Sequence, residues 1–433
     1  MTIAIAIADP SDARPAAEVR VPVRVVAATV AGNALEFFDF ITYAFFAVYI
    51  GKAFFPAKTE LMSLLLSVAV FGVGFLFRPL GGFIIGAYAD RAGRKPAMLL
   101  TIALITIGTI GVALTPSYDS IGNAAPILIV VCRIIQGFAL GGEVGPASAF
   151  LIEIAPPDKR ALYSSWQLAS QGLATFTAGL IGVVLSLILS PADLASWGWR
   201  VPFVLCVALI PIALYLRRAM PETLERGGAS APAERERLGS HSRVIALAIL
   251  IVLGGTVSTY VGQYMTTYAI VTLKFPPSIA LSAAVVGGLT TLVFALVGGW
   301  LSDSFGRRWV MIVPRALLAV VTWPAFLWLS SQPSQSSLYL AVVLLAGLTA
   351  ISGTASLTLI PELLPRSIRS TGLSIAYAVG VSLFGGTTQF VITYLIGATG
   401  DPTSPAWYVV LTSIITLGAM WVLPETRGTP LKE

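Results

Sequence analysis

The chain has 433 residues, 56% of them hydrophobic and only 11% charged, with a mean hydropathy of +0.85. Soluble domains carry roughly 25% charged residues, so the charges here are too few to cover a 45.6 kDa globule in water. The composition excludes a soluble globular protein, and the formal net charge of +6 has to be weighed against a bilayer before nucleic acid is considered.

Residues 1–24 carry Asp9, Asp12 and Glu18 and lack a basic segment ahead of an apolar run, so they read as a cytoplasmic tail, not a signal peptide. Apolar runs of spanning length then recur to the end of the chain. They predict spans 1 to 12 at 25–50, 61–89, 97–115, 124–152, 161–189, 199–216, 244–271, 280–301, 309–330, 338–360, 371–396 and 406–423. Cys132 and Cys206 both fall inside apolar runs without metal-ligand spacing and read as small core residues. With the N-terminus inside, the outer segments hold only Lys52, Lys58, Arg200 and Lys274, while Arg78, Arg133 and Arg315 lie within spans. The remaining Lys and Arg all fall on the inner side, which predicts two cytoplasmic termini. The basicity is thus explained by topology, without nucleic acid.

Three patterns occur twice, in the same order, at separations of about 210 residues. Gly86-x-x-x-Asp90-Arg91-x-Gly93-Arg94-Lys95 returns as Gly299-x-x-x-Asp303-Ser304-x-Gly306-Arg307-Arg308. Glu153-x-x-Pro156-x-x-x-Arg160 returns as Glu362-x-x-Pro365-x-x-x-Arg369, and Pro221-Glu222-Thr223 returns as Pro424-Glu425-Thr426. Such a repeat predicts duplication: an all-α membrane protein with six-helix bundles over 25–218 and 244–423, a cytoplasmic linker over 219–243 and a tail over 424–433. An even number of spans per half makes the repeats parallel, with the substrate site between them near mid-membrane.

The first repeated loop resembles the G-x-x-x-D-R-x-G-R-[KR] loop of the major facilitator superfamily at every defined position; the second departs only at Ser304. Gly32-Asn33-Ala34-Leu35-Glu36-Phe37-Phe38-Asp39-Phe40, Phe77-Arg78-Pro79-Leu80-Gly81-Gly82, and Arg133-x-x-Gln136-Gly137 with Gly141-Gly142-Glu143 resemble the metabolite:proton symporter family, over essentially the whole chain. Members carry citrate, other di- and tricarboxylates, shikimate, proline or betaine. Ala44 to Pro56 is most similar to the citrate-type branch, although Phe37 stands where that branch often has Gln. The resemblance implies a proton-coupled symporter importing a small organic acid anion by alternating access. The other implied substrates are a zwitterionic osmolyte or a shikimate-like hydroxy acid. It further implies a monomer in the bacterial inner membrane, partnered only by substrate, proton and the lipid bilayer.

Charge inside a bilayer costs about 3 kcal/mol or more and marks function. Glu36 and Asp39 are three apart on span 1, and Arg133, Gln136, Leu140 and Glu143 form one stripe on span 4. The resemblance places both spans on the central cavity, so Asp39 is expected to pair with Arg133. Burial favours the neutral acid and the cation favours the carboxylate, so opening the cavity or binding an anion can load or unload a proton. Glu36 and Glu143 are the other titratable candidates. A permanent ion pair locking two helices is the alternative. Arg78 lies twelve residues before Asp90, a rise of about 18 Å, and is therefore deep. Its planar guanidinium suits a substrate carboxylate; a partner for Glu36 or for a backbone carbonyl is the alternative. Arg315 is a further buried cation to which the resemblance gives no role.

Tyr43, Gln136, Gln167, Gln171, Gln263, Tyr264 and Tyr377 are candidate substrate donors, or else interhelical hydrogen-bonding groups. The repeated loops are expected to form a gate. The resemblance implies that Asp90 caps the N-terminus of span 11 and meets Arg160. Arg91, Arg94, Glu153, Asp303, Arg307, Glu362 and Arg369 complete the expected gate, weaker in the second half because of Ser304. There is no G-x-S-x-G, phosphate-binding loop or metal spacing, and the single histidine, His241, falls in the linker. An enzyme, a metal or cofactor, and ATP-driven transport are therefore not expected.

Overall fold

A computed structural model describes residues 23–92, 94–141, 151–152, 155–218, 241–365 and 368–431, without the side chains of 23–29, 86–87, 89–95, 97–98, 210, 212–218 and 370. The described residues are helices joined by short turns. Eight helices are long and apolar enough to cross a membrane: Glu60–Ile85, Arg160–Ile188, Ser242–Val271, Pro277–Phe305, Arg307–Ser331, Gln335–Leu363, Thr371–Thr399 and Ser404–Val422. Three shorter apolar helices, Leu99–Leu114, Ala124–Leu140 and Gly198–Leu209, and one bent pair fall in the remaining predicted places. The chain is a multi-pass membrane protein, and among the described residues these helices follow the order of the predicted spans. Side chains such as Phe83, 78% exposed, and Leu114, 71% exposed, face outward and are suited to hydrocarbon, not water.

Among the described residues, span 1 is broken and spans 2 and 11 depart from regular helix where the sequence predicts continuous ones. Span 1 consists of Val30–Phe45 and Ala47–Phe54, bent by 66°. Phe46 still donates to the Thr42 carbonyl at 3.1 Å, while the Thr42 hydroxyl donates back to the Phe38 carbonyl at 2.7 Å. Such back-bonding competes within the helix ladder and bends helices. Span 2 changes from Glu60–Leu76 to Arg78–Ala92 through a turn at Phe77. Span 11 contains one π-turn, Val381–Gly385, between Arg369–Gly380 and Gly386–Thr399. π-turns are often found at functional positions in helices.

Small residues set how closely the helices approach. Spans 2 and 4 cross with Gly74 against Gly137, Gly81 against Phe138 and Gly82 against Gly141. A Cβ on Gly81 or Gly137 would overlap a carbonyl oxygen of the partner helix. The two sequence halves meet along two pairs. Span 5 packs on span 8 along most of its length, with Gly172 against Gly288 and Leu292, Gly179 against Val285, and Gly299 against Ala161 and Leu162. Span 2 packs on span 11 where Gly72 faces Gly386. The duplication carries span 2 onto span 8 and span 5 onto span 11, so these two contacts are the same contact seen from either half.

Candidate functional site

Asp39 of span 1 and Arg133 of span 4 lie in a chamber filled by side chains and closed to solvent. Asp39 is 2% and Arg133 1% exposed. The expected pair is present at 3.9 Å, but the closer contacts are polar bridges. Gln136 Nε2 donates to Asp39 Oδ2 at 2.8 Å, and Arg133 Nη1 donates to Gln136 Oε1 at 2.8 Å. Thr109, from span 3, donates to Asp39 Oδ1 at 2.9 Å. Gln136 is therefore spent on the protein, as the clip between the two charges. Arg133 Nε and Nη2 have no hydrogen-bond partner although they are buried.

Aromatic rings supply the rest of the chamber. The Arg133 guanidinium sits 4.4 Å from the Tyr43 ring centroid and 4.9 Å from Phe40. Arg78 sits 4.8 Å from the same Phe40 and 4.1 Å from Phe75, and its Nε is also unpartnered. Two buried guanidinium groups thus share one phenyl ring. Cation–π contacts are worth about 2 kcal/mol or more in a desolvated site, which helps to hold two like charges near each other. Unpartnered N–H groups beside them have the chemistry of an anion site. Glu36 is buried next to this chamber on the same helix.

Next to the chamber is a cavity of about 140 Å³, lined by residues of spans 1, 5, 7, 8, 10 and 11. That volume holds roughly ten waters, the size of a small metabolite. Its walls combine aromatic rings (Phe37, Phe45, Tyr260, Tyr377) with Gln171, Thr256, Ser258, Thr259 and Gln263. Tyr260 also forms the partition to the chamber: its ring lies 5.3 Å from Phe75 and 6.1 Å from Phe71, and its hydroxyl faces Arg78. Tyr377 bridges the two spaces in the same way.

Of the predicted donors, Gln171, Gln263 and Tyr377 line this cavity. The others are occupied elsewhere for identifiable reasons. Tyr43 donates to the Ser67 carbonyl at 3.2 Å while its ring supports Arg133. Gln167 and Asn33 hydrogen-bond each other at 3.1 Å, joining spans 5 and 1. Tyr264 accepts from Thr393 at 3.0 Å, joining spans 7 and 11. Glu143, Glu153 and the side chains of Asp90, Arg91 and Arg94 lie outside the described residues.

At the end carrying the repeated loops, the second loop builds a dense polar network. Asp303 accepts from the Ala161 and Leu162 backbone N–H groups at 3.0 and 2.9 Å, capping the N-terminus of span 5. Glu362 forms a two-point contact with Arg307 at 3.2 and 3.1 Å and lies 3.7 Å from Arg160. Arg369 donates to the Pro361 carbonyl at 3.0 Å. Asp303 and Arg307 make these contacts without Ser304, and Arg307 also reaches Asp303 at 3.2 Å. The C-terminal Pro-Glu-Thr repeat, given no role from sequence, joins in. Glu425 accepts from the Arg307 and Arg308 N–H groups, Thr426 donates to Glu362, and Arg160 donates to the Thr429 carbonyl at 3.0 Å. The repetition of Pro-Glu-Thr in the same order as the two loop motifs was the available signal for this cluster.

A cavity between two sequence halves, a charged chamber beside it and breakable polar clasps at one end define a membrane carrier. The sequence matches the family described as "Sugar (and other) transporter" over residues 25–235 and again over 231–433. The chain belongs to this family, in the metabolite:proton symporter group of the major facilitator superfamily. It is 36% identical to the citrate-proton symporter of Salmonella typhi over 90% of this chain and 92% of that protein. It is 32% identical to the proline/betaine transporter of Escherichia coli (strain K12), over 94% and 85%. A further 32% identity links it to the alpha-ketoglutarate permease of the same strain, over 89% of each. Among solved structures, a D-xylose-proton symporter superposes with a TM-score of 0.77 at 18% identity, covering 94% of this chain and 99% of that one.

Proposed function

We propose that this protein is a proton-coupled symporter that imports a small di- or tricarboxylate by alternating access. The observation that carries the reading is the chamber in which Arg133 and Arg78 present unpartnered N–H groups beside buried Asp39. Buried guanidinium N–H groups without hydrogen-bond partners suit an anion, and the relatives named for citrate and alpha-ketoglutarate support that class. In this reading a substrate carboxylate engages Arg78 and Arg133 after Tyr260 moves aside. Drawing Arg133 toward the substrate removes its support from Asp39, which then takes the proton, so proton and anion load together. Bundles 25–218 and 244–423 rock about the shared contacts of spans 2, 5, 8 and 11. The network around Glu362 acts as the inner gate, with Asp90, Arg91, Arg94 and Glu153 as its first-half members. Both termini are cytoplasmic, the membrane is the bacterial inner membrane, and the working unit is a monomer.

The deciding experiment compares wild type with Asp39→Asn in proteoliposomes. Proton-driven accumulation of citrate should be lost in the variant while citrate exchange persists. Accumulation that survives intact removes Asp39 from coupling.

A second reading has its own support. The aromatic cavity wall of Phe37, Phe45, Tyr260 and Tyr377 suits a quaternary ammonium, and proline/betaine transporters are among the relatives. Competition among citrate, 2-oxoglutarate, shikimate and betaine separates the two. Stabilisation by betaine alone rejects the carboxylate reading.

A further inference from the structure

Arg315 differs from the other buried arginines. It sits in span 9 directly after Pro314 and is 0% exposed. Its Nη1 donates to the Gly254 carbonyl at 3.0 Å and to Ser258 Oγ at 2.8 Å, both on span 7. Its Nε has no partner, and among the described residues no carboxylate forms an ion pair with it. A buried cation without a counter-ion costs several kcal/mol. An ionisable group inside a membrane marks a candidate functional site.

The cavity is one residue layer away. Ser258 and Gly255 both line it, and a Cβ added to Gly255 would stand 3.8 Å from Arg315 Nη2. Ser258 accepts the Arg315 N–H and sends its own hydrogen back to the Gly254 carbonyl at 2.8 Å. That carbonyl already has Arg315 as a donor. The hydroxyl can therefore swing its hydrogen into the cavity and leave no backbone oxygen unpaired. Its oxygen stays fixed by the guanidinium while it does so.

We propose that Ser258 and Arg315 form an anion-recognising relay in the second half of the carrier: Ser258 donates its O–H to a second carboxylate of the substrate, and Arg315 holds and polarises that hydroxyl from behind. Ser258 is the contact residue and Arg315 the positioning residue. This deepens the carboxylate reading above and rests on it. A substrate with two or three carboxylates then engages Arg78 and Arg133 on one half and Ser258 on the other. A zwitterion such as betaine, with one carboxylate, has nothing to place at Ser258. The relay thus acts as a selectivity element and ties substrate length to closure of the halves.

The test measures affinity for citrate, 2-oxoglutarate and betaine, and melting temperature, on the full chain in nanodiscs. The variants are Ser258→Ala, Ser258→Thr, Arg315→Met and Arg315→Lys, with Arg78→Lys as reference. A hydrogen bond to a charged group corresponds to about ten- to a hundredfold in affinity. Ser258→Ala should lose about tenfold or more for citrate and 2-oxoglutarate, and Ser258→Thr, which keeps the hydroxyl, should restore it. Arg315→Met should lower the preference for citrate over betaine, and Arg315→Lys should retain part of it. If Arg315→Met does not fold, the serine pair alone decides. A lowered melting temperature with unchanged ligand preference reduces Arg315 to a packing role and overturns the proposal. Citrate binding that responds to Arg78→Lys but not to Ser258→Ala overturns the relay while leaving the carboxylate reading standing. A wild type that binds betaine and no carboxylate overturns both.

Discussion

Asp39 and Arg133 lie 3.9 Å apart, and Gln136 closes the gap by donating to one and accepting from the other. The bridge keeps two opposite charges from collapsing into a tight pair. It also leaves Arg133 Nη2 free of partners.

Replacing Gln136 with Leu therefore removes a donor and an acceptor at once. Each buried group left unpaired costs about 1–3 kcal/mol, so Gln136→Leu should lower the melting temperature and slow proton-driven uptake. Gln136→Glu should not restore proton coupling, because the new carboxyl can donate to Asp39 only by keeping a proton of its own, which adds a second titrating group to the pair. Thermal melts and citrate uptake in vesicles check both. Normal uptake in Gln136→Leu makes the bridge dispensable.

Arg78 tests the planar fork. Its guanidinium lies against Phe75 at 4.1 Å and Phe40 at 4.8 Å. Lys preserves the charge and loses the flat contact and the second N–H. Arg78→Lys should weaken apparent substrate affinity by about tenfold, a loss of about 1.4 kcal/mol, with the maximal rate less affected. Unchanged affinity would leave Arg78 as a helix-packing residue.

Much of this layout is legible in the sequence, and the exceptions have physical causes. Hydropathy runs mark the apolar helices because each must satisfy its own backbone in lipid. Arg78, Arg133 and Asp39 stand out because buried charge is costly. The bend at Phe46 and the π-turn at Val381–Gly385 leave no such mark: no proline lies within either, and Thr42 back-bonding is one of many Thr contacts of its kind. Thr109 is equally hidden, since its role depends on span 3 arriving beside Asp39. Gln167 shows the converse. Polarity in an apolar helix marks it, but only the fold shows that Asn33 satisfies it. The C-terminal Glu425 and Thr426 are visible as a repeat, yet their partners Arg307 and Glu362 lie 118 and 64 residues back along the chain, and only the fold brings them together.

Glu362 pairs with Arg307 and Arg160, with Arg369 close to Arg160, and Asp303 is a second carboxylate on Arg307. Glu362→Gln leaves those cations facing one another, and breaking a buried pair from one side costs about 3–5 kcal/mol. The variant should expose the inner gate, seen as faster labelling of a cysteine placed at Ser165. The double variant Glu362→Gln with Arg307→Gln removes one charge of each sign and should recover part of the loss, which measures the coupling. Equal labelling in single and double variants would show no coupling.

Glu425 should make the stability of the network around Arg307 depend on pH at its C-terminal edge. Burial by itself would raise this carboxyl, but four backbone N–H groups, from Arg307, Arg308, Arg427 and Thr426, outweigh burial and hold it below the usual carboxylate range. A carboxyl lower in the folded than in the unfolded chain contributes stability that is fully present above the unfolded value. That contribution is lost as pH falls through the folded one. The window therefore lies below the ordinary Glu value of about 4.3. Wild type should melt higher than Glu425→Gln at neutral pH, and the gap should stay level down to about pH 5 and then shrink on further acidification. Comparing the two proteins, not wild type alone, cancels the titration of all other carboxylates. A gap that is absent at neutral pH, or that widens in acid, would mean that the N–H groups of span 9 find another acceptor and that Glu425 does not hold the tail to the gate.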